Sequence, residues 1–234
     1  MALPKLNDTP KYSLIIPSSG QEIRFRPFLV KEEKVMLMAL ESKDQKQQLG
    51  SIVDTISACV QDPIDTNKLT TFDVEYMFTK IRARSVGETA RVSVKCEECE
   101  HENEVVINVD TIDLKVPQVE SLIRLDDNIS IEMGYPSYKN VMNTATKEMT
   151  DAEQVFNILS HSLVAVVTEN ERIDLKNETK DEILKFIDSM DAVQFSKIRE
   201  YVESMPSLKH DISFVCEKCD HENSPTLEGI QNFF

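Results

Sequence analysis

The chain has 234 residues, 41% of them hydrophobic and 29% charged, with 26 Lys and Arg against 41 Asp and Glu for a net charge of −15. That length holds one large or two small domains able to bury a core, so disorder is not expected, and the acidic excess repels nucleic-acid phosphates and anionic lipid alike. No apolar run approaches the roughly 18 residues of a membrane span and Met1 to Asp8 lack the apolar stretch of a secretory signal, which predicts a soluble protein that stays where it is made, with no nucleic-acid and no membrane partner.

Tyr12 to Ile16 and Glu22 to Arg26 carry alternating or β-branched residues around Pro17-Ser18-Ser19-Gly20, which has turn chemistry, and together they predict a β-hairpin. After Pro27, Lys31 to Glu41 is rich in helix formers, and Leu49, Ile52, Val53, Ile56 and Val60 recur at helical spacing, predicting two helices. A third is predicted from Thr70 as N-cap with Asp73 three residues on, followed by Val74, Met77, Phe78 and Ile81 on one face. The period then drops to two in Ala90 to Lys95 and Val105 to Val109, two strands flanking a cysteine pair.

Short strands at Ile123 to Leu125 and Ile129 to Met133 open the second half, Pro136 starts a helix, and three more helices begin with capping boxes: Thr150 with Glu153, Thr179 with Glu182, Asp191 with Gln194. Their apolar faces read Val155, Leu159, Leu163 and Val166, then Ile183, Phe186, Ile187 and Met190, then Phe195, Ile198 and Val202. Pro206 ends the last helix, and Lys209 to Val215 alternates into a second cysteine pair.

Residue identities tie the halves together. Phe78-Thr79-Lys80-Ile81-Arg82 matches Phe195-Ser196-Lys197-Ile198-Arg199, and Cys96-Glu97-Glu98-Cys99-Glu100-His101-Glu102-Asn103 matches Cys216-Glu217-Lys218-Cys219-Asp220-His221-Glu222-Asn223. Phe195 against Phe78 gives an offset of 117 and Cys216 against Cys96 gives 120, a difference of three residues. The expected fold is α+β with two related halves, 1–116 and 117–234, each a β-hairpin, a helical segment and a C-terminal β-hairpin carrying a C-x-x-C knuckle.

Four of the five cysteines fall in these C-x-x-C pairs. Two thiolates in a tight turn are half of a tetrahedral four-cysteine zinc site, and a second such turn completes it. Redox catalysis needs a lowered thiol pKa at a helix N-terminus, whereas Glu97, Glu98, Glu100, Glu217 and Asp220 crowd these sulfurs. Disulfides are the other reading, disfavoured in a reducing compartment. The spacing favours one structural zinc per chain on Cys96, Cys99, Cys216 and Cys219, joining the two halves with no position open for water or substrate. Two separate sites using His101 and His221, or no metal, are the alternatives. Two residues past a cysteine is a short spacing for a fourth ligand on the same ion, so His101 and His221 read as residues beside the site or on the surface rather than as ligands, and Asn103 and Asn223 fit turn stabilisers better than ligands.

Catalytic fingerprints are missing. The glycines stand alone at 20, 50, 87, 134 and 229, so there is no GxGxxG, GxxxxGK[ST] or GxSxG, and no enzymatic activity or small-molecule substrate is expected. Cys59 lies on a helical apolar face and reads as a buried small hydrophobe, while His161 and His210 have no partner base or nucleophile nearby in sequence. Val35-Met36-Leu37-Met38-Ala39-Leu40 wraps past one helical stripe, so either the fold buries all of it or a partner does. The terminal Ile230-Gln231-Asn232-Phe233-Phe234 poses the same choice.

Met1-Ala2-Leu3-Pro4-Lys5-Leu6, Ile23-Arg24-Phe25-Arg26-Pro27-Phe28-Leu29-Val30-Lys31-Glu32-Glu33-Lys34, Ala39-Leu40-Glu41-Ser42, Phe72-Asp73-Val74-Glu75-Tyr76, Ile81-Arg82-Ala83-Arg84-Ser85-Val86-Gly87-Glu88, Met205-Pro206 and Glu228-Gly229-Ile230 run the length of the chain. In these segments the chain resembles the baseplate hub protein family of T-even-like contractile-tailed bacteriophages. The resemblance implies a non-catalytic protein that works in the host bacterial cytoplasm during assembly, with other tail and baseplate hub proteins as partners. It leaves two roles: a permanent hub subunit in the virion tail baseplate, or a transient assembly chaperone absent from the mature virion. It supplies no active-site residue, and the zinc expectation rests on the cysteine spacing alone.

Overall fold

The computed structural model describes residues 10–41, 45–112, 114, 117, 119–144 and 150–229. The first elements in chain order are β1 (Tyr12–Ile15), β2 (Glu22–Phe25), α1 (Val30–Glu41), α2 (Gln45–Cys59), α3 (Thr71–Ser85), β3 (Thr89–Lys95) and β4 (Glu102–Asn108). Next come β5 (Leu122–Arg124), β6 (Ile129–Met133), α4 (Tyr138–Thr144), α5 (Asp151–Ser162), β7 (Leu163–Thr168) and β8 (Arg172–Asp174). The last are α6 (Lys180–Asp188), α7 (Ala192–Glu203), β9 (Lys209–Asp211), β10 (Phe214–Val215), β11 (Glu222–Asn223) and β12 (Thr226–Glu228). Among the described residues helices and strands are mixed, and every paired strand is antiparallel, in four two-stranded sheets and one four-stranded sheet.

Two compact units emerge, and they do not follow the sequence halves. The first takes the described residues of 1–66, 72–115 and 207–234, and the second those of 67–71 and 116–206. The second cysteine pair therefore belongs to the same unit as the first, and the segment between Lys115 and Ser207 is an insertion into that unit.

In the first unit the predicted hairpin forms from β1 and β2, with Ile23 and Phe25 buried, and Gly20 closes its turn at φ 69°, a left-handed backbone that glycine adopts without strain. The hairpin is pinned to α3 by the buried Asp73, whose carboxylate accepts from the Ser18 N–H at 2.9 Å and the Ser18 hydroxyl at 2.6 Å. This contact spans 55 residues, so a pattern-based reading could not have found it. α2 turns Val53, Ile56 and Cys59 inward as its spacing predicts, and burial pushes the Cys59 thiol up to about 11, which suits an inert core residue. A second core of the same unit joins Ala83, Val92, Ile107, Val109 and Ile112 to Leu208, Ile212 and Leu227, so the C-terminal strands complete the packing begun by β3 and β4.

The second unit is built on the sheet β5-β6-β7-β8, with Leu125, Ile131, Met133, Leu159, Val166, Ile187, Ile198 and Tyr201 in its core. All three predicted capping boxes are present: Thr150 and Glu153 at α5, Thr179 and Glu182 at α6, Asp191 and Gln194 at α7. In each, the cap side chain accepts from the N3 backbone N–H and the N3 side chain accepts from the cap N–H, which satisfies two otherwise unpaired donors. The predicted helix face through Leu163 and Val166 is corrected: α5 stops at Ser162, and both residues lie in β7. Leu163-Val164-Ala165-Val166-Val167-Thr168 is dominated by β-branched residues that prefer a strand, and a three-residue spacing of apolar groups fits the packed central strand as well as it fits a helix.

His161, in the last turn of α5, has a buried Nε2 with no hydrogen-bond partner among the described residues. Burial, reinforced by the charge of Lys180, holds its pKa below the ordinary 6.5, so the folded state keeps the imidazole neutral. A base with a depressed folded pKa adds stability above its unfolded pKa and loses it as the pH falls through that value. The melting temperature is therefore expected to drop as the pH falls below about 6.5, and His161→Gln should lose that component of the drop in a calorimetric pH series. A variant profile superimposable on the wild type would remove His161 from the account.

Residues 1–9 and 230–234, the latter carrying the C-terminal aromatic pair, lie outside the described residues. Among the described residues no helix is long and apolar enough to cross a membrane.

Candidate metal centre

Two strand pairs carry the cysteines. β3 and β4 pair from Thr89↔Asn108 to Lys95↔Glu102, leaving residues 96–101 as a tight turn, and β10 and β11 end at Val215↔Glu222 around residues 216–221. The turns are built alike. Cys96 N–H donates to the His101 carbonyl and Cys216 N–H to the His221 carbonyl, both at 2.9 Å. Glu100 N–H returns to the Cys96 carbonyl at 2.9 Å and Asp220 N–H to the Cys216 carbonyl at 3.0 Å. Glu100 and Asp220 take φ of 56° and 58°, the left-handed backbone that folds each C-x-x-C back on itself.

The two turns also hold each other. Asn223 Oδ1 accepts from Glu97 N–H and Asn103 Oδ1 accepts from Glu217 N–H, each at 2.9 Å. Each asparagine donates its Nδ2 to the histidine carbonyl of its own turn at 2.9 Å, and Asn223 Nδ2 also reaches Cys96 Sγ at 3.6 Å. Both asparagines are buried, so this reciprocal pair is shielded from water. Sequence spacing suggested turn stabilisers; the geometry makes them braces between turns. The available signal was their identical position, seven residues after the first cysteine in both motifs.

The four sulfurs converge. Cys96 Sγ lies 3.7 Å from Cys219 Sγ, Cys99 Sγ lies 3.7 Å from Cys216 Sγ, and all four fall within 4.8 Å of one another. A disulfide requires about 2.05 Å, so these are thiols. A tetrahedron of sulfurs about 2.3 Å from its centre has edges of about 3.8 Å, close to the spacing seen. The cluster is close enough to hold a metal ion and is compatible with one zinc. His101 and His221 are not among the grouped donors and contribute their backbone carbonyls instead.

Electrostatics divide the sulfurs unevenly. Burial works against ionising Cys96 and Cys216, yet N–H donors prevail: Cys99 and Glu98 lower Cys96, and Lys218 and Cys219 bring Cys216 down to about 6. Cys219 receives a favourable N–H from His221 but is pushed up to about 12 by the thiols of Cys99, Cys216 and Cys96. Four thiolates at this spacing would repel one another, and a divalent cation at their centre would let them ionise together. The acidic side chains flanking the turns, Glu97, Glu98, Glu100, Glu217 and Asp220, are exposed and point their charge to solvent.

No curated protein and no solved structure matches the chain. A family match does cover almost all of it, over residues 9–234. On that match the chain belongs to the family described as T4 bacteriophage base plate protein.

Proposed function

We propose that the chain is a non-catalytic structural protein of the central hub of the phage tail baseplate, its first unit stabilised by one zinc on Cys96, Cys99, Cys216 and Cys219. Membership of a baseplate family supports the location. The observation that carries the chemistry is the closed set of four protein sulfurs, because four protein ligands leave no coordination position for substrate. Its partners are other tail and hub proteins, met during assembly in the host cytoplasm, and a net charge of −15 favours basic patches on them.

An internal duplication fits this reading. The two turns share their backbone hydrogen bonds and the reciprocal asparagine braces, and the matched Phe-x-Lys-Ile-Arg segments both place a buried isoleucine, Ile81 and Ile198, beside a lysine that donates to a backbone carbonyl: Lys80 to Asp110 at 2.6 Å, Lys197 to Arg124 at 2.7 Å.

Quantitative mass spectrometry of purified mature virions tests the role. A structural subunit is retained in a fixed ratio to the other baseplate proteins. Its absence from virions, with presence in assembling lysates, would instead assign it to transient chaperoning.

A further inference from the structure

The fold leaves one side of α1 without a use. Ala39 faces inward, and the buried Glu32 is tied to the Arg26 guanidinium at 2.9 Å and accepts from Leu29 N–H at 2.8 Å. By contrast Val30, Val35, Leu37 and Met38 keep 78%, 49%, 56% and 61% of their surface exposed. At 100° per residue, Val30, Leu37 and Met38 share one face with Lys34 and Glu41, with Val35 at its margin. Single exposed hydrophobes are ordinary, but four on one twelve-residue helix form a patch that asks for a cover.

The charges inside the patch narrow what fits it. Two copies of a chain carrying −15 repel over most of their surfaces. Along the outward side of α1, however, Lys31 and Lys34 offset Glu33 and Glu41, so approach there is not opposed. Lys34 and Glu41 stand seven residues apart, about two helical turns, on the same stripe. If two such helices run antiparallel with Leu37 of one against Met38 of the other, Lys34 of each copy lies opposite Glu41 of its mate. A parallel pair would set lysine on lysine. The stripe is therefore complementary to itself under a two-fold axis, the requirement for an isologous interface.

We propose that α1 is the interface of a weak symmetric homodimer, in which a second copy of the chain lays its own α1 antiparallel across Leu37 and Met38. The patch is only a few side chains wide, smaller than a standard stable interface, so the pairing is expected to be weak and reversible. The pairing does not depend on the hub reading, and either can fail without the other.

Sedimentation equilibrium of the full chain from about 1 to about 500 µM reads the dimer directly. Lys34→Glu and Glu41→Lys should each weaken it about tenfold by setting like charges opposite one another, and the double variant should restore it. Met38→Asp should weaken it about a hundredfold with an unchanged circular dichroism spectrum, because the side chain lies on the outside of a folded helix. A chain that stays monomeric over the whole range overturns the proposal. So does a dimer indifferent to both charge reversals, and so does a monomer whose α1 is instead protected by another baseplate protein.

Discussion

Purified protein is expected to contain one zinc per chain and to lose the fold around both turns when a chelator removes it. The scaffold supports this because Cys96 and Cys216 are buried, and all four sulfurs lie within 4.8 Å of one another. Without a cation those thiols must be protonated or repel, and the short β10–β11 pair, two residues on each strand, has little else to hold it. Structural zinc supplies about 10–16 kcal/mol in small peptides, where the fold is created by the metal. Here much of the first unit packs independently of the cysteines, so a loss of about 3–5 kcal/mol and about 10–20 °C in melting temperature is expected on chelation. Cys216→Ser should reproduce the loss, whereas Cys59→Ser should leave the zinc in place. Cobalt substitution should give the visible d–d absorption of a tetrahedral thiolate site. A metal-free protein with four freely titrating thiols and a melting temperature indifferent to chelator would end the zinc proposal.

The second large effect is expected from the asparagine braces. Asn223→Ala removes the acceptor of the Glu97 N–H, the donor to the His221 carbonyl and the donor to Cys96 Sγ in one step. Leaving buried partners unpaired costs about 1–3 kcal/mol per group, so a total near 2–4 kcal/mol is expected after local relaxation. Groups that orient metal ligands typically change affinity about 10–100-fold when removed, and competition against a chromophoric chelator should show a loss in that range. Asn103→Ala cuts the mirror-image bonds to Glu217 N–H and the His101 carbonyl and should cost somewhat less, since only Asn223 reaches a sulfur. Wild-type affinity and stability in both variants would show that the strand pairs alone hold the turns in register.

What was legible in the sequence was local. A capping box needs four consecutive residues and a hairpin needs one turn, so the three boxes and the hairpins of β1–β2 and β3–β4 could be read directly. The grouping of the two cysteine pairs was legible because each C-x-x-C turn supplies two thiols and a tetrahedral cluster needs four. The boundary of α5 was not, because Leu163 and Val166 satisfy two periodicities and only the sheet around β7 decides between them. Bonds between Asn103 and Glu217 or Asn223 and Glu97 span 114 and 126 residues, and no periodicity reports contacts of that range. The division into units was hidden for the same reason. Repeated motifs suggested halves, whereas Leu208, Ile212 and Leu227 return to pack with Val92 and Ile107.

That return has a consequence for synthesis. Cys96 leaves the ribosome 120 residues before Cys216, an interval of roughly 6–24 s at bacterial elongation rates. Throughout it the nascent chain displays an unfinished half-cup of two thiols while the inserted segment is still being made. The second turn thus acts as a latch that translation delivers only after the inserted segment, and a transcript truncated before Cys216 yields a polypeptide that lacks half of the sulfur cluster.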